Sequence, residues 1–203
     1  TKGRLEKKSV ELFEKMGLDV SAFETKGRKL ILPVGDEIEV VLAKAPDVIT
    51  YVEHGVCDIG VVGKDTITER GGAFYEVLDL GFGKCKFALA APKDSDFYSG
   101  YDVKRLASKY PQVTRDFFAR KGMDVDIIKI EGSVELAPLL GLVDGIVDLV
   151  ETGNTLRENG LVEVEDVMQV SARLIVNVAS MKLKKNEINA LIDKIEALKE
   201  EVK

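Results

Sequence analysis

Apolar residues recur at helical spacing near the start of the chain. Leu5, Val10, Leu12, Phe13 and Met16 fall largely on one face, and Gly17 supplies a stop. Two short β-rich runs, 29–34 and 37–42, flank Gly35-Asp36 and predict a hairpin. Residues 46–53 predict a short helix closed by Gly55. A glycine-punctuated strand over 56–63 and a second short helix over 64–70 follow. The apolar run 87–91 predicts a buried strand ending at Pro92. Residues 103–109 and 113–121 predict helices separated by Pro111. A strand follows over 125–130, a helix over 133–142, a strand over 145–150 and a short helix over 155–159. The long β-rich run 167–178 precedes an amphipathic helix over 186–202, with Ile188, Leu191, Ile192, Ile195 and Leu198 on one face. Strand alternating with helix predicts an α/β protein with parallel strands. If the chain forms two lobes, the crossing segments are expected at 86–92 and 173–179.

Composition narrows the classes. The 203 residues are 45% hydrophobic and 32% charged, ordinary for a globular chain and enough for one large or two small domains. No apolar run approaches the roughly 18–20 residues that a membrane span needs. No apolar signal region follows Thr1-Lys2-Gly3-Arg4-Leu5-Glu6, so no membrane partner is expected. The net charge of -6 argues against general nucleic-acid binding. Cys57 and Cys85 are the only cysteines, which makes no disulfide framework; reduced thiols and a cytoplasmic location are expected. His54 is the only histidine, which argues against a Cys/His metal site.

Four segments could carry chemistry. Glu151-Thr152-Gly153-Asn154-Thr155 joins a strand to a helix. Its loop amides and two hydroxyls suit phosphate, while Asp148 and Glu151 at its edge suit sugar hydroxyls or magnesium. The same residues also read as a turn glycine and an N-capping Thr155. Glu131-Gly132-Ser133-Val134-Glu135 likewise joins strand to helix, with Ser133 as an N-cap and Glu135 in the first turn. Residues 53–65 place glycines at strand ends, but Gly55, Gly60 and Gly63 lack dinucleotide-fingerprint spacing, and no G-x-x-x-x-G-K-S/T sequence occurs. Lys2-Gly3-Arg4 sets two cations around a glycine, as a phosphate site or as a solvated tail.

Taken in order, these segments resemble the ATP phosphoribosyltransferases that open histidine biosynthesis. The family's N-terminal P-K-G-R-L is similar to Thr1-Lys2-Gly3-Arg4-Leu5. Its D-I/V-P-x-Y-V-E-x-G-x-x-D-x-G-x-x-G-x-D stretch is matched over 47–65, its G-S-V-E-x-A-P over 132–138 and its D-x-x-x-T-G-x-T-L over 148–156. Two departures stand out. Almost nothing precedes Lys2, where family members carry a short apolar strand, and Lys44 stands where arginine is common. Ending after the 186–202 helix, the chain resembles the family's short form, which works with a separate regulatory subunit related to histidyl-tRNA synthetases.

The resemblance implies a two-lobed α/β fold of the type II periplasmic-binding-protein kind, with the active site in the interlobe cleft. Lobe one would comprise 1–88 plus 175–203 and lobe two 89–174. It implies transfer of the 5-phosphoribosyl group of 5-phosphoribosyl 1-diphosphate (PRPP) to N1 of ATP, with Mg2+, and assembly as homo- and hetero-oligomers. Carried onto this sequence, Glu151, Thr152, Gly153, Asn154 and Thr155 would hold the PRPP 5-phosphate and Asp148 the ribose. Lys2 and Arg4 would meet diphosphate or triphosphate charge, and Gly3, Asp65 and Thr66 would line the nucleotide site. Glu131 and Glu135 would lie near the ribose or metal; the metal ligands stay unassigned. Two other readings remain open from the residues alone: a solute-binding protein of the same fold, and a non-catalytic subunit of a complex.

Overall fold

The computed structural model describes residues 1–200. Val202, expected in the last helix, lies outside the described residues. In chain order the elements are α1 (Arg4–Lys15), α2 (Ser21–Glu24), β1 (Ile31–Val34), β2 (Ile38–Val41), α3 (Ala45–Glu53), β3 (Ile59–Gly63), α4 (Lys64–Arg70) and β4 (Phe74–Asp79). Then come β5 (Cys85–Pro92), β6 (Lys104–Ser108), α5 (Pro111–Arg120), β7 (Val125–Lys129), α6 (Leu136–Leu139), β8 (Gly145–Val150), α7 (Asn154–Glu158) and β9 (Leu161–Val170). The chain closes with β10 (Ala172–Asn177), α8 (Ser180–Leu183) and α9 (Lys185–Glu200).

The chain forms two compact units: Thr1–Gly83 with the segment from Ser171 onward, and Lys84–Val170. In the first, β10 lies between β3 and β4 and is antiparallel to both. Side-chain alternation gives this sheet two apolar faces. Val62 and Ile175 pack with Val48, Ile49 and Val52 of α3 and Ile67 of α4. Leu78 and Leu174 pack with Leu12 and Phe13 of α1, Met16, and Leu191, Ile192 and Ile195 of α9. Helix α3 can lie close because position 60 is glycine; a Cβ there would come 2.8 Å from both Val48 and Val52. Buried Asn177 ties the elements together. Its Nδ2 donates to Val52 O at 2.7 Å, and its Oδ1 accepts from the N–H groups of Ala179 and Ser180, each at 2.9 Å. Asp58 accepts from Ser180 Oγ at 2.7 Å and Lys184 Nζ at 2.8 Å. Hairpin β1–β2 forms its own two-stranded sheet, with Val34 opposite Ile38.

The second unit is a five-stranded sheet of order β7-β6-β8-β5-β9. One face carries Phe87, Leu89, Leu106 and Val147 against Val113, Phe117 and Phe118 of α5. The other carries Ala88, Ala90, Ala107, Ile146 and Val150 against Ala137 of α6 and Leu156 of α7.

Several expectations change. Residues 103–109 are not helical; they hold β6, whose Leu106, Ala107 and Ser108 are all fully buried. Consecutive buried positions require both faces of an extended strand to be covered, and that packing overrides the good helix formers in the segment. The helix expected over 133–142 shrinks to α6. No side chain caps it, Ser133 included, its N-cap position is Glu135, Pro138 removes an amide, and Gly141 has φ 71°. Gly153, not Thr155, holds the N-cap position of α7. The run 167–178 breaks at Ser171 into β9 and β10, which belong to different units. Parallel pairing is confined to β6 with β7 and β6 with β8; the other pairings are antiparallel.

Candidate functional site

Because β6, β7 and β8 run parallel, their C-terminal ends share one edge of the sheet. Ligands of open α/β sheets gather outside such ends. Residues after all three strands contribute: Lys109 after β6, Glu131 after β7, and Glu151 to Thr155 after β8. The strands are locked together just behind that edge. Ser108 Oγ donates to Val147 O at 2.6 Å, and Ile130 N–H donates to Ser108 O at 3.1 Å.

Asp148 is the one polar residue of β8 and faces the same side as Ile146 and Val150. Opposite it on β5 stands Ala88, a side chain too small to fill the space beside it. Burial pushes the Asp148 carboxyl above the ordinary carboxylate range. The Leu149 N–H, which donates to it, works the other way; nearby Glu135 adds to the rise and Lys109 opposes it. Asp148 thus feels one further carboxylate and one cation, Glu135 and Lys109. Glu131 is more exposed, is paired with Lys129 at 2.8 Å, and is held below its ordinary value by that bond.

The 151–155 loop turns on Gly153, whose φ of 70° and ψ of 5° place it in the left-handed region that glycine tolerates. Thr152, Asn154 and Thr155 are exposed. The Asn154 N–H points towards Thr152 Oγ1 at 3.5 Å. Arg157 reaches back over the loop, its Nη2 donating to Thr152 O at 3.1 Å and to Asn154 Oδ1. The loop is an exposed set of amides and hydroxyls with a guanidinium beside it, a combination suited to an anionic oxygen cluster.

The remaining expected residues lie in the other unit. Thr1 Oγ1 donates to Val61 O of β3 at 2.7 Å, and the Lys2 N–H donates to Ala43 O at 2.8 Å. This places the segment beside β3, with Gly3 (φ 91°) leading into Arg4 at the start of α1. The C-terminal end of β3 runs into Asp65 and Thr66 in the first turn of α4, with the Asp65 carboxylate folded back over Gly63. The structure therefore gathers Asp148, Glu131, Glu135 and 151–155 in one unit, and Lys2, Gly3, Arg4, Asp65 and Thr66 in the other. Within the 47–65 stretch, Gly60 and Asp58 serve packing and bracing.

Two cations escaped the sequence reading. The helix expected over 103–109 hides Lys109; as the residue after β6 it falls on the shared strand edge. Arg157 lies in a helix as expected, in α7, but its reach back to Thr152 O five residues earlier is visible only in three dimensions. Among the described residues no group of three or more His, Cys, Asp or Glu could hold a metal ion by itself. No described helix is long and apolar enough to cross a membrane.

Known proteins resemble this chain over most of its length. The family model described as ATP phosphoribosyltransferase matches residues 44–197. An ATP phosphoribosyltransferase of Clostridium kluyveri is 62% identical over 197 residues, covering 97% of this chain and 90% of that protein. One from Clostridium botulinum is 59% identical over 198 residues, covering 96% and 93%. Among solved structures, the ATP phosphoribosyl transferase (HisG:HisZ) complex from Thermotoga maritima aligns with a TM-score of 0.81 at 32% identity, covering 98% of this chain and 96% of that one. The periplasmic aliphatic sulphonate binding protein SsuA from Escherichia coli aligns with a TM-score of 0.57 at 12% identity, over 91% of this chain and 67% of that one. That second likeness concerns the fold alone, the two-lobed type II periplasmic-binding-protein kind. With a matching family model and close relatives aligned over most of both chains, this chain belongs to the ATP phosphoribosyltransferase family.

Proposed function

We propose that the chain catalyses the first step of histidine biosynthesis with the residues at the shared strand edge of 84–170 as its phosphoribosyl site. The reaction joins N1 of ATP to C1 of the PRPP ribose. The C1–N1 bond forms, the C1–O bond to diphosphate breaks, and diphosphate leaves with the electron pair, giving 1-(5-phosphoribosyl)-ATP. Positive charge builds on the ribose and negative charge on the leaving group, so placement and electrostatics suffice and no protein nucleophile is required. The observation that carries the reading is the parallel trio β6, β7 and β8, which delivers Asp148, Glu135 and the 151–155 loop to one edge.

In this reading Thr152, Gly153, Asn154 and Thr155 hold the 5-phosphate, with Glu151 at the loop's entry. Asp148 accepts from the ribose hydroxyls, and its negative charge favours the oxocarbenium character of the ring. Glu131 and Glu135 flank the ribose. Lys2 and Arg4 meet phosphate charge, and Gly3, Asp65 and Thr66 line the nucleotide. The donor set fits Mg2+ only as a guest shared with substrate. One or two carboxylates plus phosphate oxygens and water suit it, and it would neutralise charge on the diphosphate.

A histidyl-tRNA-synthetase-like regulatory partner is proposed from the likeness to the HisG:HisZ complex, together with homo- and hetero-oligomeric assembly. A cytoplasmic location is proposed from the biosynthetic role. The deciding assay mixes ATP, PRPP and Mg2+ with the chain, with and without such a partner, and follows phosphoribosyl-ATP by absorbance and diphosphate release. Ligand binding without diphosphate release in either mixture would make the chain a binder rather than a transferase.

A further inference from the structure

The site described above uses the loop 151–155 but leaves the charges behind it without a task. Lys86 of β5 bonds Glu163 Oε2 and Asp166 Oδ1 of β9, each at 2.6 Å. The other oxygen of Glu163 reaches the loop: a Cβ on Gly153 would lie 2.9 Å from Glu163 Oε1 and 3.0 Å from Arg157 Nη1. The space that a side chain at 153 would occupy is thus bounded by a carboxylate on one side and a guanidinium on the other. The same guanidinium donates through Nη2 to Thr152 O and Asn154 Oδ1, the residues immediately before and after Gly153.

We propose that Glu163, held by Lys86, and Arg157 are positioning residues that clamp Gly153 and so fix the shape of the 151–155 loop. The proposal rests on the reading of this loop as the holder of the PRPP 5-phosphate. Both side chains act through the loop: Arg157 directs its Nη2 donors to the loop's own oxygens, and Glu163, bonded to Lys86 through Oε2, sets Oε1 against Gly153. Such half-exposed pairs contribute little to global stability. Their effect is therefore expected in substrate binding rather than in melting. A loop held in one shape binds its anion without first having to be ordered.

The test is steady-state kinetics on Glu163→Gln, Arg157→Ala and Arg157→Lys, beside Glu165→Gln as a control. Glu165 is on the same strand and also ion-paired, at 2.8 Å, but its partner is Lys121. Glu163→Gln and Arg157→Ala are expected to raise KM for PRPP about three- to tenfold while KM for ATP stays within about twofold. Arg157→Lys should recover part of the loss, and melting temperatures should match the parent. Glu165→Gln should leave both KM values in place. Thr152→Ala and Thr155→Ala, run in parallel, separate the two possible failures. If they raise KM for PRPP and the clamp variants do not, the clamp proposal falls and the loop reading stands. If neither set moves KM for PRPP, the loop reading falls and takes the clamp with it. A rise in both KM values with a lowered melting temperature would mark Glu163 or Arg157 as merely structural and overturn the proposal.

Discussion

At Asp148 the proposed role and stability pull in opposite directions. Its carboxyl is raised in the folded state by burial, so between the ordinary and the raised values the folded chain holds a proton that the unfolded chain has already released. Stability contributed by this group therefore falls as pH climbs from the ordinary carboxylate range through the raised value, and at neutral pH the charge is a net cost. Asp148→Asn is expected to lower turnover at least about tenfold, since the amide offers one acceptor and no charge. The same variant should melt at or above the parent temperature at pH 7, with the advantage disappearing in acid. A melting temperature well below the parent at pH 7 would make Asp148 structural. Thr152→Ala and Thr155→Ala should each weaken PRPP about ten- to hundredfold, with ATP little changed, measured by titration of each substrate. Asp148 and the threonines were readable in the sequence because a strand, a small polar loop and a helix start lie in unbroken succession. Lys109, Arg157 and Glu163 were not, because what matters about each is a neighbour on another strand or across a turn.

Helix α3 and strand β3 depend on contacts that leave mixed traces in the sequence. Gly60 has an ordinary backbone conformation, so its glycine is there for closeness, not for turning. Gly60→Ala would drive a methyl into Val48 and Val52 and should cost about 1–3 kcal/mol in denaturant unfolding. Gly132→Ala meets nothing within 4 Å and should leave stability unchanged, so any loss of activity there would report on substrate contact. Asn177→Ala strips partners from Val52 O and from the Ala179 and Ser180 amides and should cost roughly 1–3 kcal/mol. Periodicity alone was enough for α1, α3, α4, α5 and β8, where one face or one short apolar run carries the signal. It failed for β6, whose Lys-Arg-Leu-Ala-Ser sequence favours a helix locally and becomes a strand only because neighbours cover both faces. It also passed over β4, where Phe74, Tyr75 and Glu76 are not buried and the alternation is blurred.

Each unit has its own sheet and its own two apolar faces, but only one is a continuous stretch of chain. Residues 84–170 contain every pairing partner of β5 to β9, so this segment expressed alone should show native-like circular dichroism and a single cooperative thermal transition. A broad, gradual melt would mean that it needs the rest of the chain. The first unit is interrupted. Its middle strand, β10, is separated from β4 by the whole of the second unit, and β3 and β4 touch through it rather than each other. This arrangement sets an order of events on the ribosome. While the first 83 residues emerge, β3 and β4 have no strand to pair with, and the apolar stripes of α1 and α3 lack a complete sheet to cover. The second unit can close as soon as its last strand clears the exit, and only then does β10 follow to zip the first one together. Domains usually mature from the N-terminus; here the beginning of the chain must wait for its end. Until then Val62, Leu78 and their neighbours are open to chaperones, or to the same strands of another nascent copy.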